Sequence, residues 1–271
     1  MSIVRLNEEN RINVRLYVDK KETNLLHANE PEPGYFITES FNVTVRAIDA
    51  GYQVESFFID EESVDESVSK LFDKYPKVPA YVCPAEELKE ITGYPMTRGL
   101  LACMKRKAFS EMADVVKDMR RVVVLDNVEN PTNVGAIFRS AAALNMDAVI
   151  LNKGCADPLY RRATRVSMGT VFQIPWVSVP QLDGTNTILA LQKLGYKCIA
   201  MALKEDTINI DDPRLKKEDK LAIILGSEGY GMEDATINLC DYTVMIPMSH
   251  GVDSLNVATA GAIACYELGK K

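Results

Sequence analysis

Apolar runs alternate with helical patterns along most of the chain, and this alternation predicts an α/β protein. Between residues 34 and 107 the runs are short, as in VESFFID, which is followed by the amphipathic stretch SVDESVSKLFDKY. From residue 121 onward, continuous apolar runs such as RVVVLD, DAVILN and KLAIILG alternate with further helical patterns. Strands that are apolar along their whole length are typical of parallel sheets covered on both faces. The second region is therefore predicted to be a parallel sheet between helices.

Breaks in this pattern divide the chain of 271 residues into four predicted segments. Residues 1–33 form a polar N-terminal arm that packs only partly, and residues 34–107 form a small α/β domain. Residues 108–120 are the linker, and residues 121–271 form the parallel-sheet domain. Within the last segment, RVSMG and FQIPWVSV are both predicted to be strands. Ligands on such sheets bind at the carboxyl ends of strands, so chemistry is expected in the loops there.

Composition narrows the class of protein. With 47% hydrophobic and 25% charged residues, the chain lies in the range of soluble globular proteins. Its apolar runs fall short of the roughly 20 residues that a membrane helix needs, and no secretory signal is visible, so a cytoplasmic protein is expected. Six cysteines without a CxxC pair and only two histidines fit neither a zinc site nor a disulfide framework. The chemistry is predicted to be metal-free.

The net charge of −7 argues against indiscriminate binding of nucleic acid. The charge is unevenly distributed along the chain, because residues 101–170 carry 11 basic and 7 acidic residues whereas the rest of the chain is acidic. This basic window indicates a localised anion-binding face. Its candidates for phosphate contacts, which could equally be ordinary surface arginines, are Arg161, Arg162 and Arg165.

The segment ENPTNVGAIFR at 129–139 follows an apolar strand. It predicts a helix from about Asn133 to Asn145, capped by Thr132 or by Asn133. Arg139 falls on a face of small residues, from which its guanidinium could reach an anion or a neighbouring chain. The alternative is a solvated surface arginine.

The segment LGSEGYGM at 225–232 also follows a strand. Its glycines run G-x-x-G-x-G, the reverse of the dinucleotide fingerprint, which disfavours a nucleotide-dependent oxidoreductase. Glu228 is either a carboxylate that orients a ligand or an exposed residue of a tight turn.

The third segment is IPMSHGVDSLNVATAGAIACYEL at 246–268. Ser254 is predicted to cap a helix of small residues, which allow close helix approach. Ser249, His250 and Ser254 do not make a hydrolase, because no G-x-S-x-G elbow is present.

In this order, ENPTNVGAIFR, LGSEGYGM and IPMSHGVDSLNVATAGAIACYE resemble the three sequence motifs of the SpoU/TrmH family of RNA ribose 2′-O-methyltransferases. RATRVSMGTVFQIP is also similar to that family, and GYFITESFNVTVRAIDAGYQVESFFI resembles its N-terminal substrate-binding domain. The resemblance implies an L30e-like domain followed by a trefoil-knotted methyltransferase domain. It further implies S-adenosyl-L-methionine as cofactor, RNA as substrate and a homodimer. Ribosomal RNA is favoured over transfer RNA.

The resemblance also implies roles for single residues. Arg139 would be the RNA-facing arginine, contributed from across the dimer interface, with Asn133 beside it. The polar positions of the second and third motifs are Glu228, Ser254 and Asn256. The positions that hold the adenosyl part of the cofactor, largely through backbone groups, are Gly226, Ile246 and Leu255. A catalytically silent RNA-binding or assembly protein on the same scaffold is the alternative, and the retained polar residues argue against it.

Overall fold

The computed structural model describes residues 3–18, 22–93, 99–108, 110–227, 229, 231–252 and 254–269. The chain divides into two compact units. The first contains Met1–Ala108 and Leu159–Phe172, and the second contains Phe109–Pro158 and Gln173–Lys271.

The first unit is built on a five-stranded mixed sheet. Its strands are β1 (Ile3–Arg5), β2 (Tyr35–Glu39), β3 (Val54–Asp60), β4 (Ala80–Cys83) and β5 (Leu100–Lys105), in the order β1-β4-β3-β5-β2. Strands β1 and β3 run parallel to β4, whereas β5 is antiparallel to β2 and β3. Its helices are α1 (Arg15–Val18), α2 (Glu22–His27), α3 (Phe41–Asp49), α4 (Glu66–Lys74), α5 (Ala85–Thr92) and, from the later segment, α8 (Arg161–Val166).

The N-terminal residues pack more completely than the polar sequence predicts. Val14, Tyr17 and Leu25 are buried in the core of the first unit. The Tyr17 hydroxyl donates to the Ser56 carbonyl oxygen at 2.8 Å and accepts from the Cys103 amide at 3.1 Å. Burial raises the pKa of Tyr17. Isolated apolar residues in a polar segment give no periodic signal, so the sequence pattern missed this contribution.

The prediction of a strand at RVSMG is wrong. Its first residues end helix α8, and the chain then turns through left-handed conformations at Met168 and Gly169, with φ of 54° and 79°. The reason is tertiary, because α8 packs on β2 through ion pairs between its arginines and Glu39. In FQIPWVSV only Trp176–Val179 is a strand.

The second unit contains the predicted parallel sheet, with seven strands in the order β10-β12-β9-β11-β6-β7-β8. These are β6 (Arg121–Asp126), β7 (Ala148–Asn152), β8 (Trp176–Val179), β9 (Lys197–Met201), β10 (Ile208–Asn209), β11 (Leu221–Gly226) and β12 (Tyr242–Met245). All six neighbouring pairs are parallel. The helices are α6 (Met112–Val116), α7 (Pro131–Ala143), α9 (Gly184–Lys193), α10 (Pro213–Lys217), α11 (Asp234–Leu239) and α12 (Val257–Leu268).

Two features of this unit concern packing. Met112 and Val116, from the predicted linker, are buried in its core. Helix α12 packs closely on its surroundings, since a Cβ atom at Gly261 would lie 2.8 Å from Leu225 Cδ1 and 3.5 Å from Ile137 Cγ1. Gly261 therefore serves a close contact within the chain. Within the described residues, no helix combines the length and the apolar character needed to cross a membrane.

Candidate functional site

A cavity of about 660 Å³ lies at the carboxyl ends of three strands of the second unit. Its walls come from the last residues of β9, β11 and β12, from the loops that follow them and from the first turn of α12. This is the edge of a parallel sheet at which ligands bind. The volume falls within the range of small-molecule sites, roughly 300–1,000 Å³.

The structure brings five of the predicted site residues to this one cavity. They are Gly226, Ile246, Ser254, Leu255 and Asn256. They come from the second and third motif segments, so these segments meet in space although they lie apart in the sequence. Glu228, which was predicted beside them, lies outside the described residues.

Gly226 is where the loop after β11 folds back on its own strand. A Cβ atom there would lie 2.6 Å from Met232 Cγ and 2.8 Å from the Met232 nitrogen. The loop is closed by a bridge between Ser227 and Gly231, with the Gly231 amide donating to the Ser227 carbonyl oxygen at 3.1 Å. The space beside Gly226 is thus filled by this loop, and a side chain would displace the cavity wall.

Asn256 caps helix α12, so the prediction that Ser254 does so is wrong. The Asn256 Oδ1 atom accepts from the amides of Ala258 at 2.9 Å and Thr259 at 3.4 Å. Ser254 lies two residues earlier and lines the cavity. The Asn256 Nδ2 atom also donates to Asn133 Oδ1 at 3.3 Å. This hydrogen bond links the first motif segment to the third.

Helix α7 begins at Pro131, two residues before the predicted start. Its cap is Asn130, whose Oδ1 atom accepts from the Thr132 amide at 2.9 Å. Proline suits the first helical position, which needs no amide donor. Asn133 is therefore a buried residue of the first turn and not the cap. Arg139 is exposed, and among the described residues its guanidinium has no hydrogen-bond or ion-pair partner.

The loop between β6 and α7 is held by a buried polar pair that the sequence analysis missed. Asn152 Nδ2 donates to Asp126 Oδ1 at 2.6 Å, and Asn152 Oδ1 accepts from the Asn127 amide at 3.1 Å. Burial raises the pKa of Asp126. The position of these two residues in the sequence could have indicated the pair, because each is the last residue of a parallel strand. Asp126 also pairs in register with Gly226.

The three predicted phosphate-binding arginines lie in the first unit and differ in their surroundings. Glu39 has a side chain only 5% exposed, and it forms ion pairs of 3.3 Å with both Arg161 and Arg165. Burial lowers the pKa of Arg161. Arg162 is exposed. Across the described ranges, no three His, Cys, Asp or Glu side chains are grouped so that they could hold a metal ion.

Comparison of the sequence with known proteins identifies the family of this chain. The model of the SpoU rRNA Methylase family matches residues 120–266. An uncharacterized tRNA/rRNA methyltransferase of Mycobacterium bovis is 38% identical over 206 residues, which are 75% of this chain and 71% of that protein.

Solved structures show the same fold. The AdoMet-bound rRNA methyltransferase of Sinorhizobium meliloti is similar with a TM-score of 0.82 and 20% identity, over 99% of this chain and 98% of that one. An RNA 2′-O ribose methyltransferase is similar with a TM-score of 0.76 and 21% identity, over 98% and 97% of the two chains. The family model and the 38% identical relative confirm the SpoU/TrmH resemblance: the chain belongs to the SpoU rRNA methylase family.

Proposed function

We propose that this protein transfers a methyl group from S-adenosylmethionine to a ribose 2′-hydroxyl of RNA. The observation that carries the proposal is the cavity at the carboxyl ends of β9, β11 and β12, which is assembled from the second and third motif segments. The structural neighbours add support, since one holds AdoMet and another is a 2′-O ribose methyltransferase.

The cavity suits the cofactor by its construction. Gly226, Ile246 and Leu255 offer backbone groups and apolar surface, which match the adenosyl part of the molecule. Ser254 and Asn256 add polar side chains at the same wall. Glu228 keeps the ligand-orienting role that the sequence assigns to it. When bound, S-adenosylmethionine supplies the activated methyl group, and no metal is needed for such an in-line displacement.

Arg139 is assigned to the RNA. A guanidinium does not give up its proton at neutral pH, so Arg139 acts by stabilising negative charge on the ribose oxygen and the adjacent phosphate. Its exposure and the lack of a partner within the described residues leave its donors available. Asn133 is held by Asn256, so the first turn of α7 is tied to the wall of the cavity. That hydrogen bond gives the two asparagines a positioning role.

Contacts to the RNA phosphates are assigned to the arginines of α8, which differ in how far each is available for this role. Arg162 is exposed, whereas Arg161 has a side chain 19% exposed and shares Glu39 with Arg165. The Glu22 carboxylate also accepts from the Arg161 amide, so Glu39 and Glu22 together offset most of the charge of Arg161 and leave Arg165 the freer of the two. We therefore assign the main contact to Arg162, a secondary one to Arg165 and a mainly structural role to Arg161.

The remaining family features are part of the same proposal. They are a homodimer in which Arg139 acts across the interface, a trefoil knot in the second unit and an L30e-like fold for the first. A preference for ribosomal over transfer RNA and a cytoplasmic location stay predictions as well.

The test has two readouts. Calorimetric titration should show binding of S-adenosylmethionine and none of NAD. Incubation with labelled S-adenosylmethionine and RNA from cells lacking the protein, followed by nucleoside mass spectrometry, should show 2′-O-methylated nucleosides. Cofactor binding without methyl transfer would favour the silent RNA-binding alternative, and methylation of a base would contradict the ribose assignment.

Variants of two glycines test where the cofactor binds. Gly226→Ala should weaken S-adenosylmethionine binding by about tenfold or more, because overpacking against Met232 displaces the loop. Gly229→Ala is the matched variant, since Gly229 lines the same cavity but a Cβ atom there meets nothing within 4 Å. Its loss of affinity should be much smaller, and equal losses would contradict this placement.

A further inference from the structure

Four methionines from different parts of the chain line the cavity. Met201 ends β9 and Met245 ends β12, while Met232 and Met248 lie in the loops after β11 and β12. The chain has 11 methionines, so more than a third of them meet at this one site. Met201, Met245 and Met248 are partly exposed, whereas Met232 is only 8% exposed.

Several methionines elsewhere in the described residues are shielded. Met104, Met112 and Met146 are buried, with exposures of 0%, 7% and 6%. Met119 and Met168 are half-buried, as the three partly exposed cavity methionines are, and Met119 packs against the core of the second unit. A peroxide must reach the sulfur atom to oxidise it, so exposure decides which methionines react first. The three partly exposed residues of the cavity, Met201, Met245 and Met248, are hereafter called the thioether cluster.

We propose that the thioether cluster is an oxidative modification site, at which hydrogen peroxide closes the cavity to S-adenosylmethionine. The identity of the ligand rests on the proposed function. At each residue the sulfur lone pair attacks one peroxide oxygen, so that an S–O bond forms and the O–O bond breaks. The sulfur is oxidised to the sulfoxide, and the second oxygen leaves as water with both protons.

The consequence for binding follows from polarity. A sulfoxide is a polar acceptor in place of a flexible apolar group. The neighbouring cavity walls include Leu225, Ile237 and Val244, whose side chains carry no hydrogen-bond donor. A bound ligand would strip water from the new acceptors without replacing it, so affinity should fall roughly tenfold or more. Methionine sulfoxide reductases restore the thioether, which makes the modification reversible.

The experiment uses the full chain and dilute hydrogen peroxide, with and without saturating S-adenosylmethionine. Peptide mass spectrometry should show the thioether cluster oxidised before Met104, Met112 and Met146, and the cofactor should slow this reaction. Calorimetry on the treated protein should show affinity for S-adenosylmethionine reduced roughly tenfold or more. Treatment with both methionine sulfoxide reductases should restore it.

Leucine variants distinguish oxidation of the thioether cluster from oxidation elsewhere in the protein. The triple variant Met201→Leu, Met245→Leu, Met248→Leu keeps apolar side chains of similar volume that peroxide does not oxidise. Compared with its own untreated form, it should lose no affinity, whereas Met119→Leu should lose as much as the parent protein.

Two outcomes would overturn the proposal: buried methionines oxidised as early as the cluster, or full affinity with the cluster fully oxidised. If the untreated protein does not bind S-adenosylmethionine, the proposed function and the closing step both fail. The mass spectra then still decide whether the cluster oxidises first.

Discussion

Two arginines of the second unit show how the same side chain is used in opposite ways. Arg121, at the start of β6, is buried, and burial lowers its pKa. Its guanidinium donates to the backbone carbonyl oxygens of Leu268 at 3.2 Å, Arg120 at 3.0 Å, Asp219 at 2.8 Å and Glu218 at 2.9 Å. Arg139, on α7, is exposed and has no such partner among the described residues.

The difference separates stability from function. The donors of Arg121 are occupied by backbone carbonyl groups, and one of them binds the Leu268 carbonyl oxygen at the C-terminal end of α12, where a cation is favoured. The donors of Arg139 are not used by the described residues, so they are available to a substrate. Removing Arg121 should therefore change the free energy of unfolding, and removing Arg139 should change turnover.

The largest effect is expected at Arg121. Arg121→Met keeps an apolar stem but leaves the carbonyl oxygens of Leu268 and Glu218 without their donor, whereas those of Arg120 and Asp219 still accept from the Leu221 amide and from Arg120 Nε. The free energy of unfolding should fall by about 3 kcal/mol. Arg121→Lys should recover only part, because one ammonium cannot reach acceptors in so many directions. Urea unfolding measures the change, and a loss below about 0.5 kcal/mol would place Arg121 with ordinary surface residues.

Arg139 tests the other half of the comparison. Arg139→Ala should lower methyl transfer roughly 10²–10³-fold, the scale of losing one charge-stabilising donor, with nearly unchanged affinity for S-adenosylmethionine. Arg139→Lys should restore part of the rate, since an ammonium lacks the planar fork.

The matched control for Arg139 is Lys193→Ala, which removes an exposed cation from α9. Its rate should stay within about twofold of the parent protein, because a solvated helix cation away from the site contributes little. Single-turnover methylation decides. Rates for Arg139→Ala as high as that of this control would reject the assignment.

The sequence predicted the parts of the fold that depend on local pattern. Continuous apolar runs identified the parallel sheet, and chemistry was expected in the loops after Leu203, Gly226 and Met248, where the cavity lies. These predictions succeed because strand burial and the position of ligands follow from periodicity and chain order.

Features that depend on tertiary contacts could not be predicted. The hydrogen bond between Asn133 and Asn256 joins residues far apart in the sequence. Helix α8 forms where alternation suggested a strand, since Glu39 of β2 binds its arginines. The cap of α12 shifted from Ser254 to Asn256, because either residue type caps a helix and only the backbone path decides.

A smaller effect is expected from the contact between the two asparagines. Asn256→Ala removes both the cap of α12 and the bond to Asn133, so stability should fall by about 1 kcal/mol and turnover should fall as well. Asn256→Asp keeps an acceptor for the cap but loses the donor to Asn133, so stability should recover while turnover stays low.

Asp183→Ala is the control for capping alone. Asp183 Oδ1 accepts from the Asn186 amide at 2.8 Å at the start of α9. This variant should lose similar stability, by about 1 kcal/mol, without lower turnover of the folded protein. If Asn256→Asp turns over as fast as the parent protein, the hydrogen bond to Asn133 has no functional role.

The smallest effect concerns two carboxylates of the second unit whose pKa values move in opposite directions. Burial raises the pKa of Asp126 above its ordinary value of 3.8. Hydrogen bonds from the Arg214 side chain and amide lower the pKa of Asp212 to about 2. A raised carboxyl pKa contributes stability below the unfolded value, and this is lost as the pH rises through the folded value. A lowered pKa contributes stability above the unfolded value, and this is lost as the pH falls toward about 2.

The corresponding asparagine variants should therefore change stability with pH in opposite directions. Asp126→Asn can still accept from Asn152 and should be more stable than the parent protein at neutral pH, with the gain shrinking toward about pH 4. Asp212→Asn should be less stable at neutral pH, and its deficit should shrink only as the pH falls below about 4. Urea midpoints measured from about pH 3 to about pH 8 give both curves. Parallel curves for the two variants would show that burial does not oppose the charge of Asp126, because the hydrogen bond from Asn152 would then fully offset the cost of burying that charge.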